Sequence, residues 1–266
     1  MSQESEKYQA RQQFVEPYRK RFYRALEEQI APVLDAIDKS INPAEVLDQV
    51  STLIKIDPIY DVFKHLYPTV GTEASVLNIE QINAQLRSAK HSSNHLKLKS
   101  DVEDLWRFYL QNYVDDNPMS RIVSITSTSR EYAERAISEA IDEVLEAGAS
   151  PRTAQQAIER SVAQEWRRIG IFRAQRIART EVYTAYSYAD FQSATSYTIP
   201  LKKQWRHGFI GKQDRPGHID LNGTKVARDA MFVNPRTGVP MLYPHAPDLP
   251  ADEVVNCKCS LTYEAE

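Results

Sequence analysis

The sequence predicts an α+β protein, with a long helical N-terminal region followed by a small strand- and loop-rich C-terminal module. Three observations carry this. Of eight glycines, only Gly71 and Gly148 precede residue 170, whereas six fall from Gly170 to Gly238. Of fourteen prolines, seven lie from Pro200 to Pro250. Glycine and proline punctuate turns, so residues 1–195 read as mostly helix and the residues beyond 200 as loops and short strands. The apolar period switches at the same place, from helical spacing to alternation.

The elements can be justified in order. Phe14, Tyr18, Phe22, Leu26 and Ile30 recur every four residues and predict a helix within 11–40. A stripe of that kind must pack against another helix, in this chain or on a neighbouring copy, and we expect an assembly contact there. Residues 68–100, with "HSSNHLKLKS", read as a linker or mobile segment, with a short helix from Val76 to Leu86 as the exception. "DVEDLWRFYLQNYV" opens with Ser100 or Asp101 as an N-cap and acidic residues in its first turn. Ala133, Ile137, Ala140 and Val144 predict a helix over 130–146 that Gly148 stops. Ser150 caps the next, with Pro151 at its favoured first position, and Gly170 is expected to end it. "IFRAQRIARTEVYTAYSYADFQSA" then shows a seam of Ala174, Ala178, Val182, Ala185 and Ala189. In the C-terminal module, "KKQWRHGF" reads as a strand with Trp205 facing inward. "LNGTKV" carries an Asn-Gly hairpin signal, and "DEVVNCKCSLTY" reads as a closing strand.

Charge and composition exclude several classes. The net charge is −3, so no global polyanion-binding signature exists. No apolar run approaches a membrane span, the polar N-terminus lacks a signal peptide, and one thiol pair argues against a disulfide-stapled secreted scaffold. These features read as a soluble protein of a reducing cytoplasm. Glycine-rich phosphate loops, HExxH and nucleophile elbows are all absent, so no catalytic residue is assigned. Locally, residues 151–180 carry seven arginines against two glutamates. Arg173, Arg176 and Arg179 share a broad helical face. That face is either solvated and salt-bridged to the acidic helix before it, or a contact for nucleic-acid phosphate or an acidic partner, with Lys202 and Lys203 as further candidates.

The chemistry concentrates in "EVVNCKCSL", which holds both cysteines, Cys257 and Cys259. On a strand their side chains share a face about 6.5–7 Å apart, too far for an unstrained disulfide. Three readings stay open: buried inert thiols, a metal site, and a redox pair. For a metal, His218, after the "DRPG" turn, is the best-placed partner, and His245, Asp214 or Asp248 could be the fourth ligand. A bound zinc would help hold together a module with so little apolar area to bury. The competing reading of His218 is a hydrogen-bonded turn residue.

Taken in order, these pieces resemble a known family. "RIARTEVYTAY", with Thr180 and Glu181, precedes the Trp205 strand, an Arg-x-x-His turn (Arg215, His218), a Leu-x-Gly hairpin (Leu221, Gly223), Phe232, Tyr243–Pro244, and a terminal Glu-x-x-Asn-Cys-x-Cys with Asn256. That order, over roughly residues 130–263, is similar to the Mu F-like minor head proteins of tailed bacteriophages, also called phage head morphogenesis proteins. The family typically has an acidic residue two or three positions before the arginine; here Lys212 and Gln213 stand there, and Asp214 directly precedes Arg215. The resemblance implies a helical assembly region at 1–125, the helical part of a Mu F-like domain at 126–199 and a small module at 200–266, with no room after Cys-x-Cys for a further domain. It implies a minor structural protein of the virion, made in the bacterial host cytoplasm and present in several copies. Its expected partners are the portal protein and major capsid protein at the portal vertex, with contact to packaged DNA and a part in DNA ejection as further expectations. It strengthens the structural-zinc reading, with His218, Cys257 and Cys259 as ligands and His245 or an aspartate as the fourth. The alternative function is a metal-dependent nuclease or transferase delivered to the host.

Overall fold

A computed structural model describes residues 3–40, 42–88, 110, 113, 119–148, 150–208 and 214–265. The helix expected at "DVEDLWRFYLQNYV" lies almost wholly outside these residues, as do Lys212 and Gln213. Among the described residues, six helices precede the first strand: α1 (Gln3–Lys39), α2 (Ala44–Leu47), α3 (Val50–Leu53), α4 (Asp57–Ser88), α5 (Met119–Glu146) and α6 (Pro151–Thr195). The strand-bearing part follows as β1 (Leu201–Arg206), α7 (Pro216–Asp220), β2 (Lys225–Ala227), β3 (Phe232–Val233), β4 (Pro240–Met241), α8 (Ala251–Val254) and β5 (Ser260–Ala265). The α+β expectation is met. No described helix is long and apolar enough to cross a membrane.

The chain groups into two compact units. One comprises 1–17, 64–116 and 178–266, the other 18–63 and 117–177. In the second, the α1 stripe is core rather than an exposed assembly face: Tyr18, Phe22, Leu26 and Ile30 are buried, and Phe22 meets Phe63 edge-on at 5.7 Å between ring centroids. The Trp166 indole donates to Leu26 O at 3.1 Å. The stripe therefore finds its cover within the chain, which corrects the assembly reading.

Two helix boundaries differ from expectation. Gly170 does not end a helix; α6 runs through it to Thr195. One interior glycine costs only about 1 kcal/mol, which the packing of a 45-residue helix outweighs. The proposed linker from 68 is helical to Ser88, with Pro68 inside α4. A proline costs about 3 kcal/mol in a helix interior, but Val70, Ala74, Ile79, Ile82 and Leu86 are all buried along the following turns, and their packing offsets it. By contrast, α5 stops at Glu146 before Gly148, whose φ is +63°, and α6 starts at Pro151 with Ser150 Oγ accepting the Thr153 N–H at 3.4 Å.

In the first unit the sheet is antiparallel, in the order β2-β1-β5, and β3 pairs with β4 separately. Trp205 lies opposite Leu261, and Lys203 opposite Tyr263. Alternation therefore sends Leu201, Lys203 and Trp205 into one core with Phe191, Phe232, Met241, Tyr243, Cys257 and Cys259. The Asn222-Gly223 turn joins α7 to β2 rather than two strands; Gly223 takes φ +85° and its N–H donates to Trp205 O at 2.9 Å. Asn-Gly specifies a tight turn, while what flanks it is set by the α7 helix before it.

Candidate functional site

The two cysteines sit on the approach to β5 rather than on a strand. The reason is backbone. Asn256 holds φ +60°, and the Cys257 N–H donates back to Val254 O at 3.0 Å. This turn still brings both sulfurs to one place. The Cys259 N–H donates to Cys257 Sγ at 3.4 Å, and His218 Nδ1 lies 3.5 Å from Cys257 Sγ and 3.6 Å from Cys259 Sγ. The ligand atoms of His218, Cys257 and Cys259 all lie within 4.8 Å of one another, and all three residues are buried.

His218 is held on every side. Its Nε2 is 2.7 Å from Glu253 Oε2, and its ring meets the Trp205 ring edge-on at 5.3 Å. Glu253 is buried and also accepts from Asn234 Nδ2 at 3.0 and 3.1 Å and from Thr237 Oγ1 at 2.8 Å. Gly217 allows this approach: a Cβ there would stand 1.9 Å from Asn234 Oδ1. The Arg215 guanidinium donates to Asp252 O, and to Val255 O at 2.7 Å. The Arg-x-x-His turn thus grips the segment ahead of the cysteines while presenting the histidine to them.

His245 is buried near Cys257. Its backbone takes φ +66°, uncommon for a residue other than glycine. Its Nδ1 is 3.4 Å from Thr184 Oγ1, and its Nε2 has no hydrogen-bond partner among the described residues. Asp248 is exposed, and of the predicted fourth ligands neither His245 nor Asp214 nor Asp248 joins the His218–Cys257–Cys259 group.

The electrostatics separate the two thiols. A hydrogen bond from Cys259, with His245 and His218 beside it, outweighs burial and holds Cys257 well below the ordinary thiol range. Burial and the Cys257 sulfur push Cys259 well above it. For His218, burial alone would lower the pKa, but the bonds and charges of Cys257 and Glu253 raise it above the ordinary imidazole value. Burial would raise Glu253, yet the donors Thr237, His218 and Asn234 keep its carboxyl below the usual range. Such a set of imidazole and thiolate groups can hold a soft metal ion or stand as a buried imidazolium–thiolate pair.

The remaining motif residues tie this cluster down. The Asn256 N–H donates to Thr180 Oγ1 at 3.2 Å, and Glu181 accepts from the Tyr67 hydroxyl at 2.9 Å. From α1, Arg11 donates to Cys259 O at 3.0 Å and lies over the Tyr183 ring at 4.4 Å. Glu253 stood in the quoted Glu-x-x-Asn-Cys-x-Cys pattern, which was the signal for it; no local signal marked Asn234, Thr237 or Arg11.

Two of the five basic candidates are structural. Arg173 donates to Ile125 O at 3.1 Å and Ser129 Oγ at 2.9 Å, and stacks over Tyr132 and Trp166. Burial lowers its pKa to about 10. Lys203 is buried, donates to Leu242 O at 2.6 Å, lies over Phe191 and Phe232, and is pushed down to about 8 by burial. Their long apolar stems suit core positions, which charge counting along a helix or strand does not detect. Arg176 and Lys202 are exposed and Arg179 is half-buried.

Residues 135–262 match the family model described as Phage Mu protein F like protein. Over these residues, a little under half of the chain, the protein is similar to the Mu F-like family. The Mu F-like stretch contains the whole cluster, from Thr180 to Cys259. The chain is also 39% identical over 92 residues to "Uncharacterized protein YqbB" of Bacillus subtilis (strain 168), a match covering 34% of this chain and 30% of that protein. No solved structure matches the chain.

Proposed function

We propose that this chain is a structural protein of phage head morphogenesis, acting at the portal vertex through contacts with portal and capsid proteins. The observation that carries the reading is the Mu F-like match over 135–262. The site's inaccessibility favours it over the metal-dependent nuclease or transferase. A catalytic metal keeps a position open to water and substrate, whereas His218, Cys257 and Cys259 are only 2, 3 and 1% exposed. A contact surface supports it as well. On α6, Phe172 is 71% and Ile171 50% exposed, with Arg167, Arg168 and Arg176 exposed around them. Solvent-facing aromatic and arginine residues together are the composition of an interface centre, and the arginines select an acidic partner.

Co-purification with the portal oligomer from phage-producing cells tests this. Wild-type chain should co-elute and be released by added salt, while Phe172→Asp or the triple reversal Arg167→Glu/Arg168→Glu/Arg176→Glu should abolish association. Undiminished association of both variants would remove this surface from the reading. Metal-dependent cleavage of DNA by purified chain, lost in His218→Ala, would instead establish the enzyme. Retention on DNA with no portal association would move the basic face to the packaged genome.

A further inference from the structure

We propose that His218, His245, Cys257 and Cys259 bind one structural zinc ion, with Glu253 as the carboxylate that orients His218. The inference is independent of the head-assembly role.

Geometry is the first support. Tetrahedral zinc, with Zn–S about 2.3 Å and Zn–N about 2.0–2.1 Å, sets each ligand nitrogen about 3.6 Å from each ligand sulfur. His218 Nδ1 stands 3.5 Å and 3.6 Å from the two sulfurs. One ion can therefore lie within bonding reach of His218 and both sulfurs, with His245 closing in from outside that group as the fourth ligand.

Proton placement is the second, independent support. Glu253 collects donors from Asn234 and Thr237, so as a carboxylate it takes the His218 proton on Nε2. That leaves the Nδ1 lone pair facing sulfur. Thr184 donates its single hydroxyl proton to Thr180 O at 2.9 Å, so its oxygen can only accept from His245 Nδ1. The His245 lone pair is then on Nε2, the buried atom that lacks a partner. A thiolate facing imidazole lone pairs in a buried space repels them unless a proton or a metal ion lies between, and a metal ion can serve all of them at once. An outer carboxylate on the distal imidazole nitrogen is the usual second shell of a zinc-bound histidine.

The donor set chooses the metal. Two thiolates and two imidazoles suit zinc, and magnesium or calcium would require oxygen ligands. The cluster also joins three segments: α7, the loop of His245, and the turn into β5. The strands between them are two or three residues long. A metal bridging those segments supplies a covalent-strength link where regular structure is short.

The test uses the full chain purified without chelator. Elemental analysis should give about one zinc per chain, and cobalt(II) replacing it should show the intense ligand-field bands of a tetrahedral site and a thiolate charge-transfer band. Cys257→Ser and Cys259→Ser should each lose both signals. Glu253→Gln should retain one zinc per chain with affinity about 10–100-fold weaker in competition with a chromophoric chelator. His245→Ala should alter the cobalt bands by opening the fourth position. Folded wild-type chain that carries no stoichiometric metal and takes up no cobalt would overturn the proposal, leaving an imidazolium–thiolate pair. Unchanged cobalt bands in His245→Ala would overturn the four-ligand set. Wild-type metal content and cobalt spectra decide the question even where a cysteine variant fails to fold.

Discussion

Replacing Lys7 with methionine should destabilise the first unit more than most single changes in it. The Lys7 ammonium has three protons and uses them on Asp190 Oδ1 at 2.6 Å, Asn78 Oδ1 at 3.0 Å and Leu261 O at 3.0 Å. Lys7 and Asp190 are both almost fully buried. Burial lowers the Lys7 pKa and raises that of Asp190, each opposed by the partner's charge. Methionine keeps the volume but leaves a carboxylate in the core with no counter-ion, and two further acceptors unserved. Removing one member of such a pair costs about 3–5 kcal/mol. Replacing both members, in Lys7→Met/Asp190→Leu, should recover most of that loss, because the stranded charge disappears with its partner. Urea unfolding followed by circular dichroism, for wild type, both single variants and the double variant, completes the cycle. A loss below about 1 kcal/mol in Lys7→Met would refute the reasoning. So would a double variant less stable than either single one.

Lys203 carries a pH signature. Its pKa is pushed down to about 8 by burial, so between about pH 8 and 10.5 the unfolded chain binds the extra proton and stability rises with pH. The gain should be on the order of 2–3 kcal/mol, and Lys203→Met should flatten that limb and be more stable than wild type at pH 7; a limb identical in the variant would exclude Lys203 as its source. Gly217→Ala should cost about 1–3 kcal/mol by chemical denaturation, because the Cβ would meet Asn234 Oδ1 at 1.9 Å; the helix propensity gained, about 1 kcal/mol, has the opposite sign, and a net stabilisation would show that Asn234 can retreat. Arg215→Ala should cost about 1.5–3 kcal/mol, the range for hydrogen bonds from a charged donor, since it releases Asp252 O and Val255 O; proteolysis between residues 250 and 257 should accelerate, and an unchanged rate would count against the grip.

Features set by a few neighbouring residues were legible in the chain alone. Pro151 and Gly148 mark the break between α5 and α6 because backbone conformation at a helix end depends on the residues standing there. Alternation around Trp205 determined which face of β1 is core. The pairing of His218 with Cys257 and Cys259 was one of several readings the residues left open, and the fold brings the three ligand atoms within 4.8 Å of one another. Tertiary structure alone decided which partners each of these elements meets. Gly170 is a stop signal in isolation, yet α6 continues through it, buried in the assembled chain. Arg173 and Lys203 look like surface charges until carbonyls and aromatic faces far along the chain enclose them. The α1 stripe announced a need for cover, while its cover came from residues such as Phe63 and Trp166. Lys7 and Asp190, 183 positions apart, carry no mark of each other in sequence. Propensity and turn chemistry act over a few residues, whereas burial, which turns a lysine into a strut or a glutamate into a histidine's anchor, is a property of the assembled chain.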